Sequence, residues 1–309
     1  MKELAFRTPV LFLIFNRPDT TKRVFKEIRR VKPTELYIAA DGPREAKPDE
    51  TELCNETRAI VKEIDWDCEI HTLFRDKNLG CKKAVSSAID WFFDNVDAGI
   101  ILEDDCVPDQ SFFGFCQELL DHYKDDRRVM MISGTNYLYN KIEIIESYFF
   151  SRYYSIWGWA TWKRAWKLND INMSFWPEYK NSRQLDIIFA DENIKNFYKT
   201  IFQYGYENKV ITWDYQWVFS CVSNNGLAIV PKYNLIANIG LIGEHSDGKF
   251  NRFSNMPIKP IDASKLVHPA IVYNNISLDN IQFDIILLIS VRSKLVARMQ
   301  QLKSKLCID

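Results

Sequence analysis

The 309-residue chain is poor in the features that mark disordered, fibrous and nucleic-acid-binding proteins. It has only 11 glycines and 11 prolines, and 47% of its residues are hydrophobic, which excludes disorder and a collagen-like repeat. Its formal net charge is −1, so it lacks the overall basic field that non-specific nucleic-acid binding uses. The apolar run Val10–Phe15 is too short to span a bilayer, and no signal-peptide cleavage site follows it. We therefore expect a globular, cytoplasmic protein that does not bind nucleic acid.

Several motifs for redox chemistry and metal binding are also missing. The seven cysteines are odd in number and show neither CxxC nor Cys/His spacing, which argues for free thiols rather than disulfides or a zinc site. There is no G-x-G-x-x-G after the first predicted strand and no Walker lysine loop, which excludes dinucleotide redox enzymes and P-loop ATPases. Aromatic residues, by contrast, are abundant, with 9 Trp, 14 Tyr and 20 Phe. They predict either a bulky core or a cleft lined with rings that suit the apolar faces of sugars.

The first half of the chain alternates strand and helix patterns. Strands are predicted at Val10–Phe15, Leu36–Ala40, Glu69–Phe74, Ala98–Leu102 and Val129–Ser133, with helical patterns between them. This spacing indicates βαβ units and a parallel sheet covered by helices on both faces. Ligands bind beyond the carboxyl ends of such strands. Three polar clusters fall at those ends: Asn16-Arg17, Asp41-Gly42 and Glu103-Asp104-Asp105.

The second half has a different pattern. Aromatic residues crowd Tyr137–Trp176, short helices are predicted near Thr161–Lys167 and Ile194–Gly205, and strands near Leu227–Val230 and Asn234–Ile239. No internal repeat or flexible linker separates it from the first half. We therefore divide the chain into an α/β half at residues 1–134, a second half of the same domain at 135–262, and a C-terminal extension at 263–309.

The extension contains the pattern of an amphipathic helix. Apolar residues recur at 3.6-residue spacing from Ile281 to Leu306, and five basic residues but no acidic ones lie between Ile285 and Ile308. Such a helix can pack on the body or on a second subunit of a homo-oligomer, or lie on an anionic membrane surface. Arg292 falls near the centre of the apolar stripe, which weakens both interpretations.

Glu103-Asp104-Asp105 is the most informative motif. Three consecutive carboxylates at the end of a buried strand repel one another unless a cation or hydrogen-bond donors neutralise them. Hard oxygen ligands select Mg²⁺ or Mn²⁺, and a substrate's phosphates usually complete such a site. The alternative is a solvated acidic turn, but the preceding apolar strand and the following Pro108 favour a cluster at the cleft.

The segment Ile100–Asp105, followed by Pro108–Phe113, resembles the aspartate motif of GT-A fold glycosyltransferases. It looks closest to family 2-like enzymes and to N-acetylglucosaminyltransferase I. Other blocks agree in the same order within residues 8–245: Phe15-Asn16-Arg17-Pro18, Ala40-Asp41-Gly42, Arg75–Gly80, Trp157-Gly158-Trp159 and Trp213-Asp214. The resemblance implies a Rossmann-like, mostly parallel sheet flanked by helices. Residues 1–134 would bind the nucleotide sugar, and residues 135–262 would form an aromatic-rich acceptor side.

The resemblance also implies roles on the donor side. Asp105 would ligate Mn²⁺ or Mg²⁺, and Asp104 would reach the nucleotide ribose. Asp41 would accept a hydrogen bond from the base, and Arg17 would face the diphosphate. Lys82, or the adjacent Lys83, would fill a basic position near the start of the third helix. The plain alternatives are a turn residue for Asp41 and a surface cation for Arg17.

On the acceptor side, Asp214 would act as the general base that an inverting transfer requires. Its alternative is a helix N-cap for the following segment. The residues implied to shape the donor sugar and acceptor sites are Trp157, Gly158, Trp159 and Trp213, for which core packing is the alternative. His245, in a glycine-bearing loop, resembles a late histidine that touches the metal or the diphosphate, although a lone histidine is usually structural.

These residues predict a metal-dependent, inverting glycosyltransferase that uses a nucleotide-diphosphate sugar, with a UDP-sugar as the favoured donor. The expected acceptor is a glycan or a polyprenyl-diphosphate-linked glycan in surface polysaccharide synthesis, reached at the inner face of the plasma membrane if the C-terminal helix binds there. The alternatives are a sugar-phosphate nucleotidyltransferase and a non-catalytic glycan-binding protein. The first should carry a Gly-rich basic loop after its first strand, and Asn16-Arg17-Pro18-Asp19 is not one.

Overall fold

The structure, a computed structural model, describes residues 6–138, 143–240 and 253–285. The strands are β1 (Val10–Ile14), β2 (Glu35–Ala40), β3 (Glu69–Phe74), β4 (Ala98–Glu103), β5 (Cys106–Pro108), β6 (Val129–Ser133), β7 (Tyr148–Ser151), β8 (Trp159–Trp162), β9 (Leu227–Pro231) and β10 (Ile236–Asn238). The helices are α1 (Pro18–Val31), α2 (Glu50–Arg58), α3 (Gly80–Asn95), α4 (Gln110–His122), α5 (Lys163–Trp166), α6 (Trp176–Tyr179), α7 (Gln184–Ile188), α8 (Glu192–Tyr206) and α9 (Asp214–Ser223). Short 3-10 helices cover Ala59–Glu63 and Ala263–Lys265.

Eight strands form one sheet in the order β3-β2-β1-β4-β8-β6-β9-β7. β1 pairs in parallel with both β2 and β4, and β2 pairs in parallel with β3. β8 is antiparallel to both β4 and β6, β9 is parallel to β6, and β7 is antiparallel to β9. Six strands therefore run one way and two, β7 and β8, run the other, which confirms the predicted α/β class with a mostly parallel sheet.

Helices cover both faces of this sheet because its central strands are apolar on both sides. In β1, Val10, Phe12 and Ile14 belong to the core layer that contains α1 and α4, whereas Leu11 and Leu13 belong to the opposite layer with α3. The edge strand β3 is different: its residues are only half-buried or exposed. The sheet is thus most deeply buried at β1 and β4, and it is from these strands that the candidate site extends.

The second half joins the same sheet instead of forming a separate layer. The helix predicted near Thr161–Lys167 is wrong in its first part, because Trp159–Trp162 is strand β8 and the helix begins only at Lys163. β8 lies between β4 and β6 as a buried strand of four residues, too short to show a distinct period. β5 and β10, of three residues each, form a separate antiparallel pair beside the sheet.

The C-terminal region is described only in part. Residues 276–285 are helical, and the remainder of the predicted amphipathic helix lies outside the described residues, as does His245. Within the part of the chain that the structure describes, no helix has both the length and the apolar character needed to cross a bilayer.

Candidate active site

A cleft of about 1190 Å³ opens at the carboxyl ends of β1, β2 and β4. The chain leaves β1 towards β2 on one side and returns to β4 on the other, so the cleft lies at a topological switch point, where ligands bind in open α/β sheets. Its wall on the sheet side contains Asn16, Arg17, Asp41 and the segment Glu103–Asp105. The second half of the chain supplies the rest of the lining described here, through Trp157, the segment Thr212–Tyr215, Asn238 and Gly240.

Arg17 holds the acidic motif together. It occupies the N-cap position of α1, and its guanidinium turns back across the ends of β1 and β4. Nη2 and Nε donate to the carboxylate of Asp104, the second at 3.3 Å, and Nη1 donates to Oδ2 of Asp105 at 3.0 Å. One guanidinium thus bridges two carboxylates, an arrangement that the planar arginine fork suits better than lysine would.

The three acids differ in their access to the cleft. The side chain of Asp104 is 4% exposed and that of Asp105 15%. Burial raises the pKa of Asp104 to about 6, against the opposing effect of Arg17. Burial, followed by the negative charges of Asp105 and Asp104, raises the pKa of Glu103 to about 8. Both shifts favour the protonated acid, and the Asp105 carboxylate is more accessible than that of Asp104.

Asp41 lines the cleft, but its carboxylate is occupied by backbone donors. Its oxygens accept hydrogen bonds from the backbone N–H of Leu79 at 3.0 and 3.1 Å and of Gly80 at 3.1 Å. It also accepts one from the N–H of Gly42 at 2.9 Å. Asp41 therefore links the start of α3 to the end of β2. Its position after a strand in the sequence does not predict these contacts with the backbone.

Asp214 lines the same cleft as the acidic motif. It is the first residue of α9, the N-cap position is Trp213, and Trp213 makes no capping hydrogen bond through its side chain. The hydroxyl of Thr212 donates to Oδ1 of Asp214. Its charge is close enough to Glu103 and Cys81 to raise the pKa of both groups, with burial the larger cause in each case. The structure thus brings Asp214, Arg17 and Asp105 to one cleft.

The predicted aromatic residues divide between the cleft and the core. Trp157 lines the cleft, and so does Trp213, although Trp213 is only 2% exposed. Trp159 is completely buried and stacks on Trp213 with ring centroids 5.8 Å apart. Trp166 and Trp217 complete this cluster of indoles behind the cleft wall. The excess of tryptophan in this region is therefore mostly core packing.

Gly158 acts through its backbone. Its φ is +61°, and a Cβ at this position would lie 2.4 Å from Cδ1 of Ile236 on β10. Its carbonyl oxygen accepts a hydrogen bond from the N–H of Gly134 at 2.8 Å. Glycine at position 158 thus lets β10 approach the end of β8 and sets the position of the neighbouring Trp157.

Lys82 and several other basic residues occupy positions that the sequence did not predict. Nζ of Lys82 donates to Oδ1 of Asn208 at 2.8 Å, and the residue is not part of the cleft lining. The cleft instead contains Arg44, Lys47 and Arg75, from the loops that follow β2 and β3. Their positions after strands are the only signal that sequence reasoning could have used.

Gly240 is a further residue that sequence reasoning missed. The N–H of Ile239 donates to the carbonyl of Asp105 at 2.8 Å, which brings the end of β10 against the acidic motif. A Cβ at Gly240 would lie 2.3 Å from Oδ2 of Asp105. Only glycine allows this approach, so Asn238 and Gly240 form the part of the lining beside the Asp105 carboxylate.

The donor set around Asp105 fits a hard divalent cation held by one protein carboxylate. Oδ2 of Asp105 is shared with Arg17, and Oδ1 is contacted by the weak thiol donor of Cys106 at 3.4 Å. Magnesium and manganese commonly use one or two carboxylates and complete their shell with water and substrate phosphate oxygens. Asp104 is buried and accepts from Arg17 on both oxygens, so it is not available as a further ligand in this conformation.

Neither a family model nor a curated protein matches the chain, but solved structures do. The mannosyltransferase PcManGT from Pyrobaculum calidifontis, in complex with GDP-Man and Mn²⁺, is 16% identical with a TM-score of 0.33 over 53% of this chain. HddC from Yersinia pseudotuberculosis is 8% identical, with a TM-score of 0.31 over 51%. The inositol-1-phosphate CTP transferase from T. maritima is 9% identical, with a TM-score of 0.36 over 73%. This chain covers 46%, 77% and 85% of those chains, respectively, so it spans less than half of the mannosyltransferase.

Proposed function

We propose that the chain is a metal-dependent glycosyltransferase that moves a sugar from a nucleotide-diphosphate donor to a hydroxyl of a glycan or lipid-linked glycan. A UDP-sugar is the favoured donor, and transfer proceeds with inversion. The observation that carries this proposal is that Asp105, Arg17 and Asp214 line one cleft. A donor diphosphate beside Asp105 and Arg17 and an acceptor beside Asp214 would meet within it.

The charge balance of the sheet-side wall explains why a cation is needed. Asp104 and Asp105 together carry two negative charges, and Arg17, which pairs with both, supplies one positive charge. The trio therefore has a net charge of −1 and would repel a diphosphate. Asp105 would hold a divalent ion there, and the chemistry that such an ion would supply is electrostatic stabilisation of the leaving diphosphate. Lys47 and Arg75 add positive charge farther along the cleft, whereas the charge of Arg44 is paired with Glu50.

The chemical step itself is assigned to Asp214. Its carboxylate accepts the proton of the acceptor hydroxyl as the acceptor oxygen bonds to the anomeric carbon. The bond from that carbon to the donor phosphate oxygen breaks, and its electron pair leaves with the nucleotide diphosphate. The Thr212 hydroxyl donates to Oδ1 and so orients the carboxylate that acts as the base. Trp157, in the lining of the same cleft, offers an aromatic face to a sugar ring.

The decisive experiment pairs Asp214→Asn with Asp105→Asn in the full-length chain. A panel of nucleotide sugars is screened by thermal shift with and without Mn²⁺, and turnover is followed as release of nucleotide diphosphate. Asp214→Asn should lower transfer by about 10²–10⁴-fold, the usual contribution of a general base, while donor binding stays near the wild-type value. Asp105→Asn should abolish the Mn²⁺-dependent part of donor binding.

Asp121→Asn is the matched control, because Asp121 lies on the exposed face of α4 and pairs with Lys124. It should change neither measurement. Full turnover by Asp214→Asn would remove the base assignment, and a wild-type chain that binds no nucleotide sugar would remove the proposal. Release of pyrophosphate from a nucleoside triphosphate and a sugar phosphate would identify a nucleotidyltransferase instead. Binding of glycans without any turnover would identify a lectin-like protein.

A further inference from the structure

A second group of metal-ligating side chains lies outside the cleft, where α4 meets the C-terminal segment. Glu118 and His122 come from α4, and His268 comes from the segment after the 3-10 helix at Ala263–Lys265. One ligand atom from each residue lies within 4.8 Å of the other two. It is the only group of three or more such side chains at this spacing in the described ranges.

The helix supplies two of these ligands by its periodicity. Glu118 and His122 are four residues apart and therefore lie on the same face of α4, one turn from each other. Both side chains are exposed, so they can change rotamer at little cost. Among the described residues, the Glu118 carboxylate has no hydrogen-bond or ion-pair partner, so no competing interaction has to be broken.

The third ligand is held in place by a buried pair of tyrosines. Nδ1 of His268 lies 2.8 Å from the hydroxyl of Tyr148, which in turn lies 2.6 Å from the hydroxyl of Tyr123. Because Tyr148 engages Nδ1, Nε2 is the nitrogen that His268 can offer to a cation. Ligating histidines are typically oriented in this way, by a hydrogen bond to the nitrogen that does not bind metal.

The two imidazole rings already lie together. The rings of His122 and His268 are stacked, with centroids 4.2 Å apart and an angle of 5° between their planes. Tetrahedral ligands at the usual metal–nitrogen distance are about 3.3 Å apart, so side chains with ligand atoms within 4.8 Å of one another need only a small approach to share an ion. Rotation of the exposed His122 ring out of the stack and movement of Glu118 would supply this approach.

We infer that Glu118, His122 and His268 form a binding site for one divalent transition-metal ion of the zinc class. Two imidazoles and one carboxylate are a donor set that suits Zn²⁺, with water in the fourth position. The same set disfavours Mg²⁺, which prefers oxygen ligands. The site is thus chemically distinct from the hard-cation position at Asp105.

The position of the site indicates what the ion would do. His268 follows Val267, which exchanges two hydrogen bonds of 2.9 Å with Ser147, and Ile261 donates to the hydroxyl of Ser111 at 3.1 Å. The C-terminal segment is therefore already fixed to the body by contacts on either side of Ala263–Lys265. An ion shared by α4 and His268 would cross-link this segment to the helix that follows the acidic motif.

The test is metal binding to the metal-stripped full-length chain in an Asp105→Asn background, which removes the proposed cleft cation. Co²⁺ is titrated and followed by its visible absorption, and Zn²⁺ is then added as a competitor. We expect one Co²⁺ per chain, displaced by Zn²⁺, and a rise in melting temperature with Zn²⁺ but not with Mg²⁺. Glu118→Gln, His122→Gln and His268→Gln should each weaken binding at least 10-fold.

His71→Gln is the matched control. His71 is a half-buried histidine whose Nε2 lies 3.2 Å from a carboxylate oxygen of Glu69, so it has one acidic neighbour but no third ligand. Its variant should bind Co²⁺ as tightly as the parent. The inference is overturned if the parent binds no Co²⁺, if binding survives all three ligand substitutions, or if His71→Gln weakens it equally. If His268→Gln fails to fold, the exposed positions 118 and 122 decide the outcome.

Discussion

The ion pair between Arg17 and Asp104 gives the most direct test of how the cleft is built. Asp104 is 3% exposed, and its carboxylate receives two donors from one guanidinium. Arg17→Met removes the charge and the donors while keeping most of the apolar length of the side chain. Asp104→Asn removes the opposite charge at nearly constant volume. The double substitution removes both, so the four proteins form a double-mutant cycle.

The expected loss in the free energy of unfolding depends on which charge each substitution leaves without a partner. Breaking a buried ion pair costs about 3–5 kcal/mol when the remaining charge cannot reach water, which is the case for Asp104 in Arg17→Met. Arg17 is 29% exposed and keeps Asp105 as a partner, so Asp104→Asn should cost about 1–2 kcal/mol. The double variant should cost about 2–3 kcal/mol, less than the sum of the two single variants, which leaves a coupling of about 3 kcal/mol.

The assay is urea unfolding of all four proteins at pH 7.5, with equal m-values required before the free energies of unfolding are compared. Arg29→Met is the control, because Arg29 pairs with Asp65 at the surface and both side chains are about half exposed. Its stability should match that of the wild type, since exposed pairs contribute little. A coupling below about 0.5 kcal/mol would show that Arg17 does not neutralise Asp104, and the charge balance proposed for the cleft would fail.

Three further substitutions test the sheet, the glycine contact and the use of Asp41. Burial, followed by neighbouring carboxylates, raises the pKa of Tyr37 from 10.0 to about 12. The contribution of this phenol to the free energy of unfolding is therefore complete below pH 10 and is lost as the pH rises towards 12. Between pH 8 and pH 11, the free energy of unfolding measured with urea should fall by about 1.4 kcal/mol less in Tyr37→Phe than in the wild type. An equal fall in the two proteins would contradict the raised pKa of Tyr37. Gly158→Ala should lower the free energy of unfolding by about 2–4 kcal/mol, because the positive φ and the 2.4 Å contact with Ile236 act together. Gly80→Ala should lower it by only about 1 kcal/mol, because Gly80 has a φ of +76° but open space around its Cβ position. Asp41→Asn should lower the free energy of unfolding by about 1–3 kcal/mol, since it places an amide NH₂ group against backbone N–H groups. Weaker binding of the nucleotide sugar at unchanged stability would instead favour a contact between Asp41 and the base.

The architecture of the first half was predictable because its physical signals are local. Buried parallel strands are short apolar runs, and each of the first four predicted strands occurs within about one residue of its predicted ends. A polar residue directly after such a strand must lie at the carboxyl edge of the sheet. On this basis the sequence predicts that Arg17, Asp41 and Asp105 lie at one edge of the sheet, even when the strand order is unknown.

The second half was less predictable because its structure depends on contacts distant in sequence. β8 is a strand because it lies between β4 and β6, and its four residues do not carry a periodic signal of their own. The contact of Ile236 with Gly158 joins residues that are far apart in the chain, so nothing near either residue indicates it. The division of the tryptophans between core and cleft depends on the same packing.

The acidic motif shows why the type of a residue does not settle its role. In sequence, Asp104 and Asp105 are equivalent carboxylates at the end of a strand, but the fold uses them differently. Asp104 accepts from Arg17 on both oxygens, so a ribose hydroxyl could approach it only if Arg17 moved. Asp105 shares one oxygen with Arg17 and keeps the other beside a weak thiol donor at the open cleft. The carboxylate that can meet a ligand is the one whose hydrogen-bonding capacity the fold leaves unused, and for this motif that selects Asp105.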